Sequence, residues 1–190
     1  MKQVQEVASS SPTHTFSLDD LDKLTYLESS FWECLRLYSG NMTTRVVTED
    51  FPLDVAIGDT KQTFQIEKGS RLVAFWDLLH SDPAIFENPE EFRYDRFVNM
   101  KDSVYTYKSG KKLPHSPVMS FGGGSHLCPG RKFIAYEVRL FMAMLMLNFD
   151  IRLMSPSSYV RPKIDQAQQG LGIAKPDSDP KVQIRPIFKK

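Results

Sequence analysis

The 190-residue sequence lacks the features that mark several large classes of protein. Its only cysteines are Cys34 and Cys128, too few for a disulfide-stabilised scaffold, so a reducing compartment is expected. Its longest apolar run covers only residues 140–147, whereas a membrane-spanning helix needs roughly 18 apolar residues. The first ten residues, MKQVQEVASS, have no apolar centre and do not predict a signal peptide or other targeting segment.

The chain also lacks a strong excess of charge of either sign. It has 24 basic and 23 acidic side chains, a formal net charge of +1. This balance gives no general attraction to nucleic acid or to an acidic membrane surface, so neither is expected as a partner of this chain. With 41% apolar and 25% charged residues, the composition is that of an ordinary soluble globular protein with one core.

The spacing of apolar residues predicts a helical first part followed by short strands. Ser17 and Asp20 have the pattern of a capping box at the start of a helical region. Residues 24–38 then carry apolar side chains at helical spacing until Gly40, while residues 1–16 are a lead-in with no defined element. The period next changes to two, which predicts strands at residues 41–49, 51–56, 62–67 and 71–76, with turns at residues 58–59 and 68–69.

The rest of the chain predicts a long surface connection, one long helix and two more strands. A short helix is expected at residues 77–80, and the proline-containing, polar residues 84–120 predict an ordered meander. The long helix is predicted at residues 130–148. Because it is apolar nearly all round after Phe133, we expect it to be buried. The last predicted elements are strands at residues 149–155 and 181–188, with a turn at residues 170–172 between them.

The most unusual stretch is FGGGSHLCPGRKF, residues 121–133. Cys128 lies just before the predicted long helix, and a helix N-terminus together with backbone N–H groups stabilises the thiolate form that binds metals. Gly122, Gly123 and Gly124 would let the backbone approach a flat, bulky ligand without clashes from Cβ atoms. His126 could then reach an anionic group at the rim of that ligand.

Other chemical interpretations of this loop fit its spacing less well. A phosphate-binding loop needs GxxxxGK[ST] or GxGxxG, and position 127 is Leu. Structural zinc needs paired ligands, whereas Cys34 lies 94 positions upstream of Cys128. A cysteine nucleophile needs a base, and no catalytic-cysteine signature surrounds Cys128. From the residues alone, a small buried cysteine after a flexible loop also remains open.

The spacing of Phe121, Gly124, His126, Cys128 and Gly130 resembles the haem-binding loop of the cytochrome P-450 superfamily of haem-thiolate monooxygenases. The resemblance implies that haem b is the cofactor and that Cys128 is the axial ligand of the haem iron. It implies that the loop glycines lie against the porphyrin. The family often has Arg at the position of His126, and His occurs there as well, so the resemblance implies a contact between His126 and a haem propionate.

A second resemblance lies in Glu33-Cys34-Leu35-Arg36, which is similar to the ExxR motif of the family's K helix. Side chains three residues apart share one face of a helix and can pair. An exposed pair would contribute only about 0–1 kcal/mol, but the apolar neighbours predict partial burial, where each charge needs its partner. The resemblance adds Arg96, in Tyr94-Asp95-Arg96-Phe97, as the third member of a structural ion-pair triad. The family's usual form at that point is Pro-Glu-Arg-Phe.

The same resemblance implies three further roles around the haem. Arg45 matches the family's arginine that pairs with a haem propionate. Residues 39–44 and 170–172 correspond to segments that line the substrate pocket. A basic cluster would face an acidic electron-transfer partner, although a solvated loop explains it equally well; its members are Lys108, Lys111, Lys112, Arg131 and Lys132.

The fold implied by the resemblance is mainly α-helical with small β-sheets, an α+β arrangement that forms the C-terminal part of the cytochrome P-450 fold. Residues 1–190 would belong to one domain, in which residues 17–190 supply the K helix, strands, meander, haem loop, L helix and terminal strands. The long helix that covers the oxygen-binding face of the haem in the family has no counterpart in this sequence. We therefore expect the chain to correspond to part of a longer enzyme.

The stretch FENPEEFRYDRF and the tail QGLGIAKPDSDPKVQIR are similar to the branch that holds the sterol 7α- and 12α-hydroxylases and prostacyclin synthase, nearest to the oxysterol 7α-hydroxylases. This implies hydroxylation of a sterol or other lipid with dioxygen and electrons from an NADPH-dependent reductase. The full-length relative would lie in the endoplasmic reticulum membrane through an N-terminal anchor, and no catalytic residue is assigned in this portion. Two alternatives remain: a non-catalytic remnant with weak or no haem binding, and an isomerase of the prostacyclin synthase type.

Overall fold

The computed structural model describes residues 1–10, 16–57, 60–98, 110, 112, 118–163 and 176–187. The helices in these residues are α1 (Lys2–Ser10), α2 (Leu18–Asp22), α3 (Thr25–Tyr38), α4 (Trp76–His80) and α5 (Arg131–Asn148). The strands form antiparallel pairs: β1 (Met42–Val46) with β4 (Arg71–Phe75), β2 (Phe51–Ile57) with β3 (Thr60–Ile66), and β5 (Phe149–Leu153) with β6 (Val182–Pro186). This combination of helices and small antiparallel sheets confirms the predicted fold class.

Helix α1 lies in the lead-in, for which the sequence predicted no element. Its buried residues Val4, Val7 and Ala8 have helical spacing, but the helix is only nine residues long and its packing partner α5 lies far along the chain. The two helices meet in the first core cluster, whose buried residues are Val4, Val7, Ala8, Leu21, Leu24, Ala143 and Leu147. The first core therefore connects the beginning of the chain to its longest helix.

Helix α3 buries polar side chains more completely than apolar ones. Ser29, Glu33 and Arg36 are its buried residues, and their spacing of four and three places them on one face. Phe31 and Leu35, on which the prediction of this helix relied, are only half-buried. The hydrophobic pattern thus located the helix correctly but did not identify its inward face.

The second core cluster lies beside that polar face. Phe86, Phe97 and Val118 are buried and pack against Trp32 and Leu35 of α3. Phe86 and Phe97 come from residues 81–98, which contain turns but no helix or strand. Their rings meet edge to face with centroids 6.2 Å apart. This irregular segment is therefore fastened by aromatic packing rather than by a backbone ladder.

The prediction that the long helix is buried nearly all round is wrong for the described structure. Only Arg139, Ala143 and Leu147 of α5 are buried, whereas the side chains of Phe133 and Phe141 are 70% and 63% exposed. An apolar sequence on every face indicates that a helix can be buried, but burial also requires elements packed around it. The described helices α1, α2 and α3 contact α5, and much of its apolar surface remains open.

The other predicted elements differ from the structure by a few residues at their ends. The turn at residues 68–69 is present, and α4 begins one residue before the predicted start. The turns predicted at residues 58–59 and 170–172 lie outside the described residues. Within the described part of the chain, no helix combines the length and hydropathy needed to span a bilayer.

Candidate functional site

The carboxylate of Glu33 joins helix α3 to the irregular segment that follows α4. It accepts hydrogen bonds from Arg36 Nε (2.8 Å) and Nη2 (2.9 Å) one turn further along α3. It also accepts them from Arg96 Nε (3.0 Å) and from the N–H of Arg93 (3.0 Å). Arg36 donates in addition to the carbonyl oxygen of His80 (2.7 Å). The three side chains predicted to form an ion-pair triad therefore lie in direct contact.

These charges are almost completely removed from solvent. Glu33 is 0% exposed, Arg36 is 2% exposed, and the Arg96 side chain is 8% exposed. Burial alone would raise the pKa of the Glu33 carboxyl, but the hydrogen bonds from Arg36 and from the Arg93 N–H bring that pKa below its usual value. Glu33 is thus ionised at neutral pH, and the two guanidinium groups compensate its charge inside the fold.

Cys128 lies in a short loop that is closed by backbone hydrogen bonds. Its N–H donates to the carbonyl of Phe121 (3.0 Å), and the N–H of Gly122 donates to the carbonyl of Met119 (3.0 Å). The carbonyl of Cys128 accepts a hydrogen bond from Nη1 of Arg131 (3.1 Å). Because α5 begins at Arg131, the thiol lies near the positive end of that helix dipole.

The start of this loop is attached to α3 and to the segment before β1. The hydroxyl of Ser120 donates to the carbonyl of Leu35 (3.2 Å), and the carbonyl of Ser120 accepts from Nδ2 of Asn41 (2.6 Å). The ring of Phe121 lies edge-on to Trp32, with centroids 5.9 Å apart. The loop that carries Cys128 is therefore positioned by the same helix that carries Glu33 and Arg36.

Two of the loop glycines have backbone conformations that other residues rarely adopt. Gly122 has φ +75° and Gly124 has φ +61°, both in the left-handed region. Gly130 is different, because its φ of −80° is open to any residue and it serves as the N-cap of α5. A Cβ at Gly130 would lie 3.9 Å from Sγ of Cys128, at ordinary contact distance. The first two glycines therefore shape the loop, whereas neither backbone conformation nor contact with the thiol requires a glycine at position 130.

A cavity of 580 Å³ lies beside the loop, and a second of 280 Å³ adjoins it. Trp32, Trp76 and Phe121 supply aromatic walls of the larger cavity, together with the backbone of residues 122–124. The smaller cavity shares Trp76, Phe121 and Gly122 with the larger one and is lined by Cys128. The larger, mostly apolar cavity is therefore continuous in its lining with a smaller, more polar one that Cys128 borders.

Arg45 and Arg131 are the charged residues that line the larger cavity. Arg45 extends from β1, and its Nη1 donates to the carbonyl of Thr44 (2.9 Å). No acidic side chain among the described residues lines this cavity. Of the predicted pocket segment 39–44, residues 41–43 line the smaller cavity. The cationic rim thus suits a ligand whose polar end is anionic.

Not every predicted site residue lies at these cavities. His126 is exposed at the end of a single 3-10 turn and lines neither cavity. Of the basic cluster, Arg131 lines the larger cavity, while Lys112 and Lys132 are exposed. Its proposed contact with an electron-transfer partner stays a prediction. Lys108 and Lys111 lie outside the described residues, as do residues 170–172.

His80 and Asn41 contact the loop and were not predicted to do so. Nε2 of His80 accepts a hydrogen bond from the N–H of Met119 (3.0 Å), just before the glycines. Nothing in the sequence neighbourhood of His80 points toward Cys128. Both contacts span more than 35 positions of the chain, so no local sequence pattern signals them.

The residues around these cavities fit a haem. A flat, largely apolar macrocycle with an anionic edge requires apolar walls, a backbone without Cβ atoms at its closest approach, and cations at one side. Trp76, Phe121 and Gly124 meet the first two requirements, and Arg45 and Arg131 meet the third. Among the described residues, no group of three or more His, Cys, Asp or Glu side chains is placed to hold a metal ion. The sulfur-bearing residue that lines the smaller cavity together with these walls is Cys128.

Comparison with known proteins gives a family for this arrangement. The family model described as Cytochrome P-450 matches residues 2–183. The chain is 36% identical over 162 residues to cholesterol 7-alpha-monooxygenase from Cricetulus griseus and 34% identical over 165 residues to 25-hydroxycholesterol 7-alpha-hydroxylase from Rattus norvegicus. It is 35% identical over 173 residues to 7-alpha-hydroxycholest-4-en-3-one 12-alpha-hydroxylase from Homo sapiens.

These matches cover most of this chain and a smaller part of each relative. The three alignments include 84%, 86% and 90% of this chain but only 31%, 38% and 34% of the relatives, so the chain spans about a third of their length.

A solved structure has the same fold over nearly the whole chain. The retinoic acid bound cyanobacterial CYP120A1 superposes with a TM-score of 0.72 and 23% identity over 98% of this chain and 38% of that one. The fold of this chain is thus that of part of a cytochrome P-450. With a family model matched over residues 2–183 and relatives above 30% identity, the chain belongs to the cytochrome P-450 family.

Proposed function

We propose that this chain forms the proximal half of a haem site, in which Cys128 supplies the axial thiolate, within an enzyme that hydroxylates a sterol or a similar lipid. The observation that carries the proposal is the placement of Cys128. Cys128 lines a cavity that Trp76 and Phe121 also border, and it lies just before α5. Two glycines of its loop, Gly122 and Gly124, have positive φ.

Different residues of the chain would bind different parts of haem b. Cys128 would bind the iron from one face, and Phe121, Gly122 and Gly124 would keep the loop flat enough to lie against the macrocycle. Arg45 and Arg131 would pair with the propionates, with His126 as the predicted contact that the geometry supports least. A Cβ at Gly130 would lie at ordinary contact distance from the sulfur of Cys128. When bound, the haem supplies oxygen activation, which thiolate donation favours by promoting O–O cleavage.

The triad of Glu33, Arg36 and Arg96 would act only through structure. Arg36 donates to the carbonyl of His80, and Glu33 accepts from Arg96 and so fixes the segment around it. The triad would thus position the residues that pack against the Cys128 loop. No proton transfer is assigned to it, because its carboxylate is fully paired with cations and has no exposed surface.

The substrate class rests on the relatives rather than on the cavity. Three relatives at 34–36% identity are named for oxidation of cholesterol or of hydroxylated sterols. The 580 Å³ cavity with few polar groups is compatible with a lipid beside the haem. For the whole enzyme we propose electron delivery by an NADPH-dependent reductase and residence in the endoplasmic reticulum membrane. The exposed Lys112 and Lys132 are candidates for contacting the reductase.

A haem titration of the purified chain tests the proposal. We expect saturation at one haem per chain and a clear loss of affinity in Cys128→Ser. Cys34→Ser is the matched control, since Cys34 lines neither cavity and should titrate like the native chain. Equal haem binding by the native chain and Cys128→Ser would contradict the assigned ligand.

Addition of a hydroxysterol to the haem-loaded chain tests the substrate class. We expect a shift of the main haem absorption band that the solvent without sterol does not produce. Haem binding without that shift would leave the cofactor assignment standing and remove the support for a sterol site in this chain. Absence of haem binding would favour the non-catalytic remnant, and binding of prostaglandin endoperoxide analogues instead of sterols would favour the isomerase.

A further inference from the structure

His80 occupies a position between the buried ion pairs and the loop that carries Cys128. It is the last residue of α4 and is 1% exposed. Its carbonyl oxygen accepts from Nη1 of Arg36 (2.7 Å), and its Nε2 accepts from the N–H of Met119 (3.0 Å). The backbone of this one residue therefore meets the triad, and its side chain meets the loop.

The contact at Met119 lies at the start of the closed loop. The carbonyl of Met119 accepts from the N–H of Gly122, the first glycine of the loop, at 3.0 Å. The carbonyl of Phe121 then accepts from the N–H of Cys128, also at 3.0 Å. A displacement of Met119 would therefore be passed on to the turn at Gly122 and to the backbone around Cys128.

The direction of the hydrogen bond determines the form of the imidazole. The N–H of Met119 can only donate, so Nε2 of His80 must be unprotonated and the ring proton must lie on Nδ1. Nδ1 is buried and has no hydrogen-bond partner among the described residues. The charged groups that act on the ring are Arg36 of α3, which disfavours the imidazolium, and Asp77 of α4, which favours it. Burial also disfavours the imidazolium, so the neutral ring persists.

We propose that His80 is the positioning residue of the Cys128 loop. It transmits the fixed position of Arg36 to the N–H of Met119, and it does so through an acceptor at Nε2 rather than through the volume of its ring. The inference deepens the proposed function and rests on it for its consequence at haem, but the loop geometry that it explains exists without haem.

Three substitutions of His80 distinguish the effect of its hydrogen-bond acceptor from the effect of its side-chain volume. His80→Gln can place an amide oxygen near the position of Nε2, His80→Asn can place one only near the position of Nδ1, and His80→Leu fills space without an acceptor. Leu147→Ala, in the first core cluster, is the control for a general loss of stability. The variants are made in the native chain and in a Cys34→Ser background, so that Cys128 is the only thiol.

Two measurements on the haem-free chain test the proposal. Amide hydrogen exchange reports the N–H of Met119, and alkylation by iodoacetamide reports the thiol of Cys128. We expect exchange at Met119 to accelerate about tenfold in His80→Leu and His80→Asn, the equivalent of one lost hydrogen bond, and to stay within about threefold of native in His80→Gln. Alkylation of Cys128 should follow the same order.

Unchanged exchange at Met119 in His80→Asn and His80→Leu, after correction for global unfolding with Leu147→Ala, would overturn the proposal. Equal acceleration in His80→Gln and His80→Asn would also overturn it, because volume rather than the acceptor would then matter. If His80→Leu does not fold, the comparison of the Gln and Asn variants decides the question. A native chain that does not bind haem would count against the proposed function and leave this comparison intact.

Discussion

At the scale of single residues, the interior of this protein contains more charge than its hydrophobic pattern indicates. Glu33 is 0% exposed, and two guanidinium groups and one backbone N–H donate to its carboxylate. A buried ion pair of this kind is held by mutual compensation, so its removal is costly even where its formation contributes little.

Substitution of Glu33 by Gln therefore has a large predicted effect. It leaves Arg36 and Arg96 without a counter-charge inside the fold, and we expect a loss of about 3–5 kcal/mol in the free energy of unfolding, measured by urea denaturation. The matched control is Asp54→Asn. Asp54 lies on β2 and forms an exposed ion pair with Lys61 of β3, so its loss should leave the denaturation midpoint unchanged. A midpoint for Glu33→Gln equal to that of the control would contradict the structural role of the triad.

His80 gives the stability of the chain a predictable dependence on pH. Burial, followed by the nearby charge of Arg36, lowers the pKa of His80 to about 4, whereas the unfolded chain has the ordinary value of 6.5. Between these two values the unfolded state binds more protons than the folded state. The stability that the neutral, buried His80 provides is therefore fully present above pH 6.5 and is lost as the pH falls toward 4. The free energy of unfolding should decrease by about 2 kcal/mol between pH 6.5 and pH 5.

The same measurement in His80→Gln isolates this residue. Glutamine does not titrate, so its profile should be flatter than the native profile by the amount that His80 contributes. Glu33 also loses stability in acid, but only below its ordinary value of 4.5, which lies outside this window. Parallel native and variant profiles between pH 6.5 and pH 5 would show that His80 is not held neutral.

At the scale of elements, the loop before α5 depends on glycines in specific conformations. Gly122 and Gly124 have φ of +75° and +61°, so Gly122→Ala and Gly124→Ala should each cost about 1–2 kcal/mol and weaken haem binding. Thermal unfolding and haem titration measure the two effects.

Gly123→Ala is the control within the same loop, because its φ of −158° is open to any residue. Its added Cβ would meet only Cε of Met119 at 3.0 Å, the far end of a flexible side chain. We expect a smaller loss of stability than at the two flanking positions. Equal losses at all three positions would indicate that crowding, and not backbone conformation, controls the loop.

The elements also show how much could be predicted from sequence. The strands and α3 were placed correctly because their periodicity is local, and the Cys128 loop was recognised because its five marker positions lie within ten residues. Helix α1 was missed, since its burial depends on contact with α5. The place of Arg131 beside the larger cavity and the hydrogen bond from Met119 to His80 were missed for the same reason: each depends on how distant segments pack.

At the scale of the whole molecule, the exposed apolar surface of α5 favours self-association of the chain. Phe133 and Phe141 are mostly exposed, and Leu140 and Met144 add to the apolar surface of the same helix. Contiguous apolar surface of this kind promotes association. We expect the chain to self-associate at micromolar concentration in sedimentation experiments.

Phe141→Lys should reduce that association without lowering stability, because the side chain is 63% exposed. Ala143→Lys is the contrasting variant, since Ala143 is buried in the first core cluster and a charge there should unfold the chain. Sedimentation velocity at several concentrations measures the first effect, and circular dichroism measures the second. Undiminished association of Phe141→Lys would show that another surface is responsible.

The whole account depends on Cys128 as the ligand of a haem iron, and the most direct test is an absorption spectrum. The chain is reconstituted with haem, reduced and exposed to carbon monoxide, beside Cys128→Ser and Cys34→Ser. We predict a strongly red-shifted band, typical of a thiolate ligand, in the native chain and in Cys34→Ser, and its loss in Cys128→Ser. A haem-loaded native chain without that band, or the same band in Cys128→Ser, would contradict the account.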